Sequence, residues 1–316
     1  VNENDPGFVD FITGAGGVID RWMACGVSGF RLDVADELPD GFIEKVRSAV
    51  KRNDPEALLL GEVWEDASNK ISYGVRRKYF LGNELDSVMN YPFRSAIIDF
   101  ALGGKAEDLN ETVIDICGNY PAEALNVLMN PLSTHDTERI LSILGGKSGE
   151  GLTREEQLLI KLSPEELELA RRRLKLAAVL QYSLPGVPSI YYGDEAGCQG
   201  LKDPFCRCTY PWEDEDQDLL DFFSSLGQLR RSVAAFRDGV FCPVSAMLGV
   251  IAFRRSSFGS EVFVIANNSE NTVHYTINEN VVYKTLFGCV TDAEGRVIID
   301  GLSAGILIKE NDEVGD

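Results

Sequence analysis

The strongest constraint on the fold is a repeating unit: an apolar run ends at a polar residue, a helical stretch follows, and another apolar run begins. Residues 29–37 read GFRLDVADE, residues 58–64 read LLLGEVW, and residues 87–93 read SVMNYPF. Asp33 and Glu62 stand 29 positions apart, and Glu62 and Asn90 stand 28 apart. Each interval has room for one strand, one crossover helix and two short loops. Apolar runs without polar alternation read as strands buried on both faces, so a parallel sheet with right-handed crossovers is expected. Acids at the C-terminal ends of successive parallel strands converge on one mouth of a (β/α) barrel. A third acid, Asp136, follows another apolar run in STHDTERI (residues 133–140). The 46 positions from Asn90 to Asp136 demand an extra loop or helix there.

Five buried parallel strands are expected, over residues 27–34, 58–63, 87–90, 125–132 and 187–192. Asp5-Pro6 opens a helix expected to end near Gly26, weakened by Gly14, Gly16 and Gly17. Thr153 with Glu156, and Ser163 with Glu166, make capping-box patterns, the second with Pro164 at the first helical position. That second helix should stop before Pro185-Gly186. The acidic run from Glu213 to Asp221 reads as a solvated loop leading into a helix. Beyond about Asp238 the helical period disappears. Residues 250–254, 262–265, 272–277 and 297–299 are rich in β-branched and apolar residues, with turn signals at Asn267-Asn268-Ser269 and Glu294-Gly295. The expected organisation is a barrel-type region over 1–237 and an antiparallel all-β domain over 238–316, with a frayed acidic end at 311–316.

A formal net charge of -20 over 316 residues argues against nucleic acid or an anionic membrane as partner. The longest apolar region, 174–192, is broken by Lys175, Gln181, Pro185 and Pro188, so no membrane span is read. Seven scattered cysteines suggest no disulfide framework and favour a reducing, cytoplasmic setting. Cys198, Cys206 and Cys208 cluster, but Cys206 and Cys208 are too close in sequence for the usual zinc pair, and reduced thiols are the plainer reading. Gly14-Ala15-Gly16-Gly17 lacks dinucleotide-binding spacing, and no phosphate-loop lysine is present. No organic cofactor and no metal site are read from these residues.

The acids carry the chemistry. On a strand Arg31 and Asp33 share a face, and a guanidinium beside a carboxylate favours its ionised form, as a nucleophile requires. An ion pair that satisfies a buried acid is the alternative. Glu62 lies among Leu60, Gly61, Val63 and Trp64 with no cation adjacent in sequence. Apolar surroundings keep a carboxyl protonated, as a general acid requires, and Trp64 could offer an aromatic platform. A helix-start carboxylate is the alternative there. Asp136 could balance positive charge and His135 could bond a sugar hydroxyl; helix capping is the alternative for Asp136. Two facing carboxyls are the minimum equipment for cleaving a glycosidic bond. His274 is expected to have no chemical role.

GFRLDVADE, GEVW and STHDTERI resemble three signature segments of the alpha-amylase family of glycoside hydrolases, in the right order and at the right intervals. SVMNYPF, LPGVPSIYYGDEAG (184–197) and DPFCR (203–207) resemble the cyclomaltodextrinase, neopullulanase and maltogenic amylase branch, and Glu37 suits that branch. The resemblance implies Asp33 as nucleophile, Glu62 as acid/base, Asp136 as transition-state stabiliser, Arg31 as holder of the nucleophile, and His135, Trp64 and Glu37 as substrate-binding residues. It implies a (β/α)8 barrel followed by a β domain. The family's segment near the end of its third strand does not occur here. The chain is therefore expected to be the rear portion of the barrel, about strands 4–8, with a small antiparallel β-sandwich: a fragment of a longer protein, inactive or insoluble alone. The implied reaction is retaining hydrolysis of alpha-1,4, and possibly alpha-1,6, glucosidic bonds in maltodextrins, cyclodextrins or pullulan. Transglycosylation and a non-catalytic binding domain are the rival readings. The branch often dimerises through an N-terminal domain, so a homodimer of the longer protein is implied. Calcium in the family is held by the absent segment and is not determined by this chain.

Overall fold

The structure, a computed structural model, describes residues 2–277, 281–292 and 296–310. In chain order its main elements begin with helices α1 (Pro6–Thr13) and α2 (Val18–Ala24), β1 (Gly29–Leu32), α3 (Asp40–Asn53) and β2 (Leu58–Gly61). A short hairpin, β3 (Ile71–Ser72) and β4 (Val75–Arg76), precedes β5 (Ser87–Val88), α4 (Tyr91–Ala101), α5 (Ala106–Asn119), α6 (Ala122–Asn126) and β6 (Met129–Pro131). Then come α7 (Ile140–Leu144), α8 (Arg154–Leu159), α9 (Pro164–Ser183), β7 (Val187–Ser189), α10 (Gln217–Ser232) and α11 (Ala235–Asp238). The remainder is strand: β8 (Val240–Met247), β9 (Val250–Ser257), β10 (Ser260–Asn267), β11 (Val273–Tyr275), β12 (Tyr283–Phe287), β13 (Val290–Thr291), β14 (Val297–Ile299) and β15 (Ser303–Lys309). Glu294-Gly295 and the end 311–316 lie outside the described residues.

Two compact units divide the chain, one of residues 1–92 and 115–129, the other of 93–114 and 130–316. In the first unit β1, β2 and β5 form a parallel sheet, with Arg31 opposite Leu60, Leu32 opposite Gly61 and Gly61 opposite Val88. Met89 continues it through a parallel bridge to Met129. Helix α3 buries Phe42, Ile43, Val46, Ala49 and Val50, the spacing of one helix face, while Lys51 and Arg52 complement its C-terminal dipole. The single helix expected over 5–26 is two helices. Asp5 caps the first, accepting from the Phe8 amide at 2.9 Å, but the chain turns at Gly14–Gly17. Gly16 there has φ +74, and a Cβ on Gly17 would stand 2.7 Å from the Phe11 carbonyl, so the glycines break the helix rather than weaken it. The strand expected over 125–132 is shorter, because Leu125 and Asn126 close α6.

In the second unit α9 is the longest helix. Both expected capping boxes form, at Thr153–Glu156 and Ser163–Glu166. Helix α9 ends at Ser183, and Arg172 on it donates to the Gly301 carbonyl at 2.6 Å. Asp216 ends the acidic run as the N-cap of α10 and pairs with Arg171 at 2.5 Å. Strands β6 and β7 lie side by side. The C-terminal strands form a five-stranded sheet in the order β12-β15-β10-β9-β8 and a three-stranded sheet in the order β11-β14-β13, antiparallel throughout. Both sheets contribute to one core of Val250, Ala252, Phe263, Ile265, Tyr283, Val297, Ile299 and Leu307. The Asn267 amide closes the expected turn by accepting from the Ser269 amide at 3.0 Å and donating to the Asn271 carbonyl at 2.8 Å. Among the described residues no helix is long and apolar enough to cross a membrane. Among the described residues no disulfide is formed.

Candidate active site

The parallel register of β1 and β2 carries the two chains side by side to their C-terminal ends, where Asp33 and Glu62 emerge. One guanidinium joins them. Arg31 Nη1 lies 2.5 Å from Asp33 Oδ1, and Nη2 lies 3.0 Å from Glu62 Oε1. The Asp33 side chain is 72 % exposed, so the alternative of a pair neutralising a buried acid does not hold. Glu62 is buried, and its expected surroundings are corrected: they are polar, not apolar. Besides Arg31, the Val34 amide donates to Oε2 at 2.9 Å and the Trp64 indole to Oε1 at 3.2 Å. The alternative of a helix-start carboxylate also fails, since the chain after Glu62 forms loop and the next regular element is β3.

Two backbone positions make this geometry. A Cβ on Gly61 would stand 2.4 Å from a Leu85 methyl and 3.0 Å from the Ala35 Cβ, so a larger residue there would push Leu85 aside and press on Ala35. Val34 adopts φ 46 and ψ 53, the left-handed region that a β-branched residue avoids. Such strain costs about 1–3 kcal/mol and gathers at functional sites. Here it turns the Val34 amide onto Glu62. Trp64 stacks on Tyr91 with ring centroids 4.1 Å apart and planes 9° from parallel. Glu37 ends a 3-10 turn, Ala35–Glu37, and accepts from the Tyr73 hydroxyl.

Asp136 belongs to the second unit, in a loop after β6. It does not cap a helix: α7 begins only at Ile140, with Arg139 at its N-cap. His135 Nε2 lies 3.0 Å from Asp136 Oδ2, and Arg207 Nη2 lies 3.3 Å from Oδ1. Arg207 also binds Asp203 at 2.6 Å, and the Cys206 thiol donates to the His135 carbonyl at 3.3 Å. DPFCR thus packs on the Asp136 loop; the resemblance had quoted that segment, but no role for Arg207 followed from it.

Beneath the loop lies a buried ion pair that the sequence did not reveal. Ser133 and Arg139, three residues to either side of Asp136, both bond Asp194, with Arg139 Nη1 3.2 Å from Oδ1. All three side chains are buried. The Arg139 guanidinium lies over the rings of Tyr191 and Tyr192, 4.2 and 4.6 Å from their centroids. Burial alone would lower the Arg139 guanidinium, but Asp194 in turn holds it above its usual range. Cys198 and Cys208 lie against this cluster, and burial pushes the Cys198 thiol up to about 12. Among the described residues no three His, Cys, Asp or Glu side chains come together as a metal-ligand group. His274 lies on β11, paired in register with Ile298.

A family model described as alpha amylase, catalytic domain, matches residues 11–237. The chain is 35% identical over 267 residues to a cyclomaltodextrinase of Thermoanaerobacter pseudethanolicus, covering 83% of this chain and 41% of that protein. It is 34% identical over 281 residues to neopullulanase 2 of Thermoactinomyces vulgaris, covering 86% of this chain and 42% of the relative. Among solved structures, the type III pullulan hydrolase from Thermococcus kodakarensis superposes with a TM-score of 0.80 at 28% identity, covering 97% of this chain and 49% of that one. The chain spans less than half the length of these relatives. With the family model covering most of its length, this chain belongs to the alpha-amylase catalytic-domain family, with that family's fold and a sheet-rich C-terminal part.

Proposed function

We propose that the chain supplies the acid/base machinery of a retaining glycosidase that cleaves alpha-1,4 glucosidic bonds in maltodextrins, cyclodextrins or pullulan, with alpha-1,6 bonds as the alternative linkage. The relatives' names, cyclomaltodextrinase, neopullulanase and pullulan hydrolase, support this substrate class. The observation that carries the reading is the single guanidinium of Arg31 on both Asp33 and Glu62. Carboxylates sharing one guanidinium favour the roughly 5–5.5 Å separation of retaining enzymes over the wider spacing of inverting ones. Asp33, exposed and ion-paired, is the nucleophile that attacks the anomeric carbon. Glu62 protonates the leaving oxygen and then deprotonates the water that releases the sugar. Asp136 stabilises the positive charge of the transition state, with His135 bonding a sugar hydroxyl. Trp64, stacked on Tyr91, is a platform for a sugar ring, and Glu37 is an acceptor for its hydroxyls.

In this reading residues 1–237 are the rear portion of a (β/α)8 barrel, about strands 4–8, and 238–316 a C-terminal β-sandwich. The presence of all five expected strands supports it. The longer protein would then supply the remaining strands and any dimer contact.

The test uses that longer protein. Asp33→Asn and Glu62→Gln should each lower kcat on maltotriose or cyclodextrin by about a thousandfold or more, with the fold unchanged by circular dichroism. Wild-type turnover by Asp33→Asn would remove the nucleophile from this scheme. Nuclear magnetic resonance of the first product should show the α-anomer; a β-anomer would overturn retention.

A further inference from the structure

The Arg31 guanidinium has a third contact that the chemistry above does not use. Its Nε donates to the Met89 thioether sulfur at 3.4 Å. The three nitrogens thus face three partners: Nη1 faces Asp33, Nη2 faces Glu62 and Nε faces Met89. A guanidinium is planar, so contacts on all three nitrogens fix its plane as well as its position. The register shows how far the side chain reaches. Arg31 lies opposite Leu60 on β2, and Leu60 lies opposite Ser87 on β5, so Arg31 reaches across β2 to the residue that follows β5. Met89 is itself fastened on both sides. Its amide donates to the Gly61 carbonyl at 3.0 Å, and it forms the parallel bridge to Met129. Only 3 % of its surface is exposed.

A buried methionine at a strand end ordinarily fills space, and leucine would fill it about as well. Leucine offers no acceptor, whereas the sulfur, a weak acceptor, meets a donor here. The glycosidase chemistry gives that difference a meaning. When Asp33 attacks the anomeric carbon, its carboxylate becomes an ester and loses its charge. Glu62, having protonated the leaving oxygen, gains one. The second step reverses both changes. The cation between the two acids is therefore pulled toward Glu62 and then back toward Asp33. The sulfur is the same neutral acceptor in every state. We propose that Met89 is a positioning residue of the reaction: its sulfur holds the Arg31 guanidinium in one plane between the two acids while their charges change places. This rests on the glycosidase reading above and adds to it a residue that reading does not assign.

The test is a double-mutant cycle in the longer protein. Met89→Leu and Met89→Ile both keep apolar bulk and remove the sulfur. Each is made alone and together with Arg31→Met, and kcat and KM on maltotriose are measured, with the fold checked by circular dichroism. Either variant alone should lower kcat by about tenfold and leave KM within about twofold. In the Arg31→Met background the same changes should alter kcat by less than about twofold, since no guanidinium is left to hold. An unchanged kcat in the single variants overturns the proposal. The same fractional loss with and without Arg31 also overturns it, because Met89 would then act through packing alone. A wild-type longer protein that turns over no alpha-glucan is a different failure: it removes the glycosidase reading itself, and this inference with it.

Discussion

Asp33 and Glu62 are fixed by one shared cation: Arg31, less exposed than Asp33, reaches both carboxylates, and a strained Val34 amide completes the hold on Glu62. Asp136 is fixed from below. Its own contacts, His135 and Arg207, are half-exposed, while the loop is clamped at both ends by buried Asp194. In the first arrangement the group that positions the acids touches both of them directly. In the second, the residues that clamp the loop are not the ones that touch Asp136. Damage to the first should appear in turnover, and damage to the second in stability.

The largest effect should come from Asp194→Asn. It leaves the Arg139 guanidinium buried without its carboxylate, and such an orphaned charge costs about 3–5 kcal/mol. Urea denaturation would show a lower midpoint at an unchanged slope. A loss below about 1 kcal/mol would mean that the loop is not held by this pair. Next is Arg31→Met. The expected loss of stability is smaller, about 2 kcal/mol, because Asp33 is exposed and Glu62 keeps two donors. Its kcat should fall by about a hundredfold. If Arg31→Met unfolds the protein as readily as Asp194→Asn does, the two arrangements are not distinct.

The same contrast governs what was legible in the sequence. Strands β1, β2, β5, β6 and β7 could be read because each is a short apolar run, but the burial expected of all five holds throughout only β5: β1 is half-buried along its length and Val187 of β7 is exposed. Thr153 and Ser163 could be read as caps because capping is a local pattern. Arg31 beside Asp33 was equally local. Arg31 on Glu62 was not, since it depends on the register that sets Arg31 opposite Leu60. Asp194, Arg139 and Ser133 are 55 and 61 positions apart along the chain, and no local pattern links them. The hairpin β3–β4 escaped because two-residue strands carry no period. Strand β15 escaped because its small residues, Ser303, Ala304 and Gly305, hide the run that follows.

Glu84, in the first unit, sharpens the comparison through a buried acid that lacks a clamp. Its side chain is buried like that of Asp194, but Oε2 has no hydrogen-bond partner. Burial and the repulsion of Asp40, countered only partly by Arg77, push its carboxyl up to about 7. The folded protein therefore keeps a proton that the unfolded chain releases near the ordinary glutamate value of 4.5. Stability is lost as pH rises from about 4.5 to about 7, and at higher pH the ionised, unpaired carboxylate imposes its full cost. Glu84→Gln removes that charge at nearly constant shape. It should stabilise the protein by about 1–3 kcal/mol near pH 8, have little effect near pH 5, and flatten the profile between them. The sign is opposite to that of Asp194→Asn, because among the described residues the buried Arg77 near Glu84 is paired with Asp40, whereas Arg139 depends on Asp194. Denaturation midpoints for the two variants at both pH values decide the matter: a Glu84→Gln protein less stable than wild type near pH 8 would show that Glu84 is held by a partner after all.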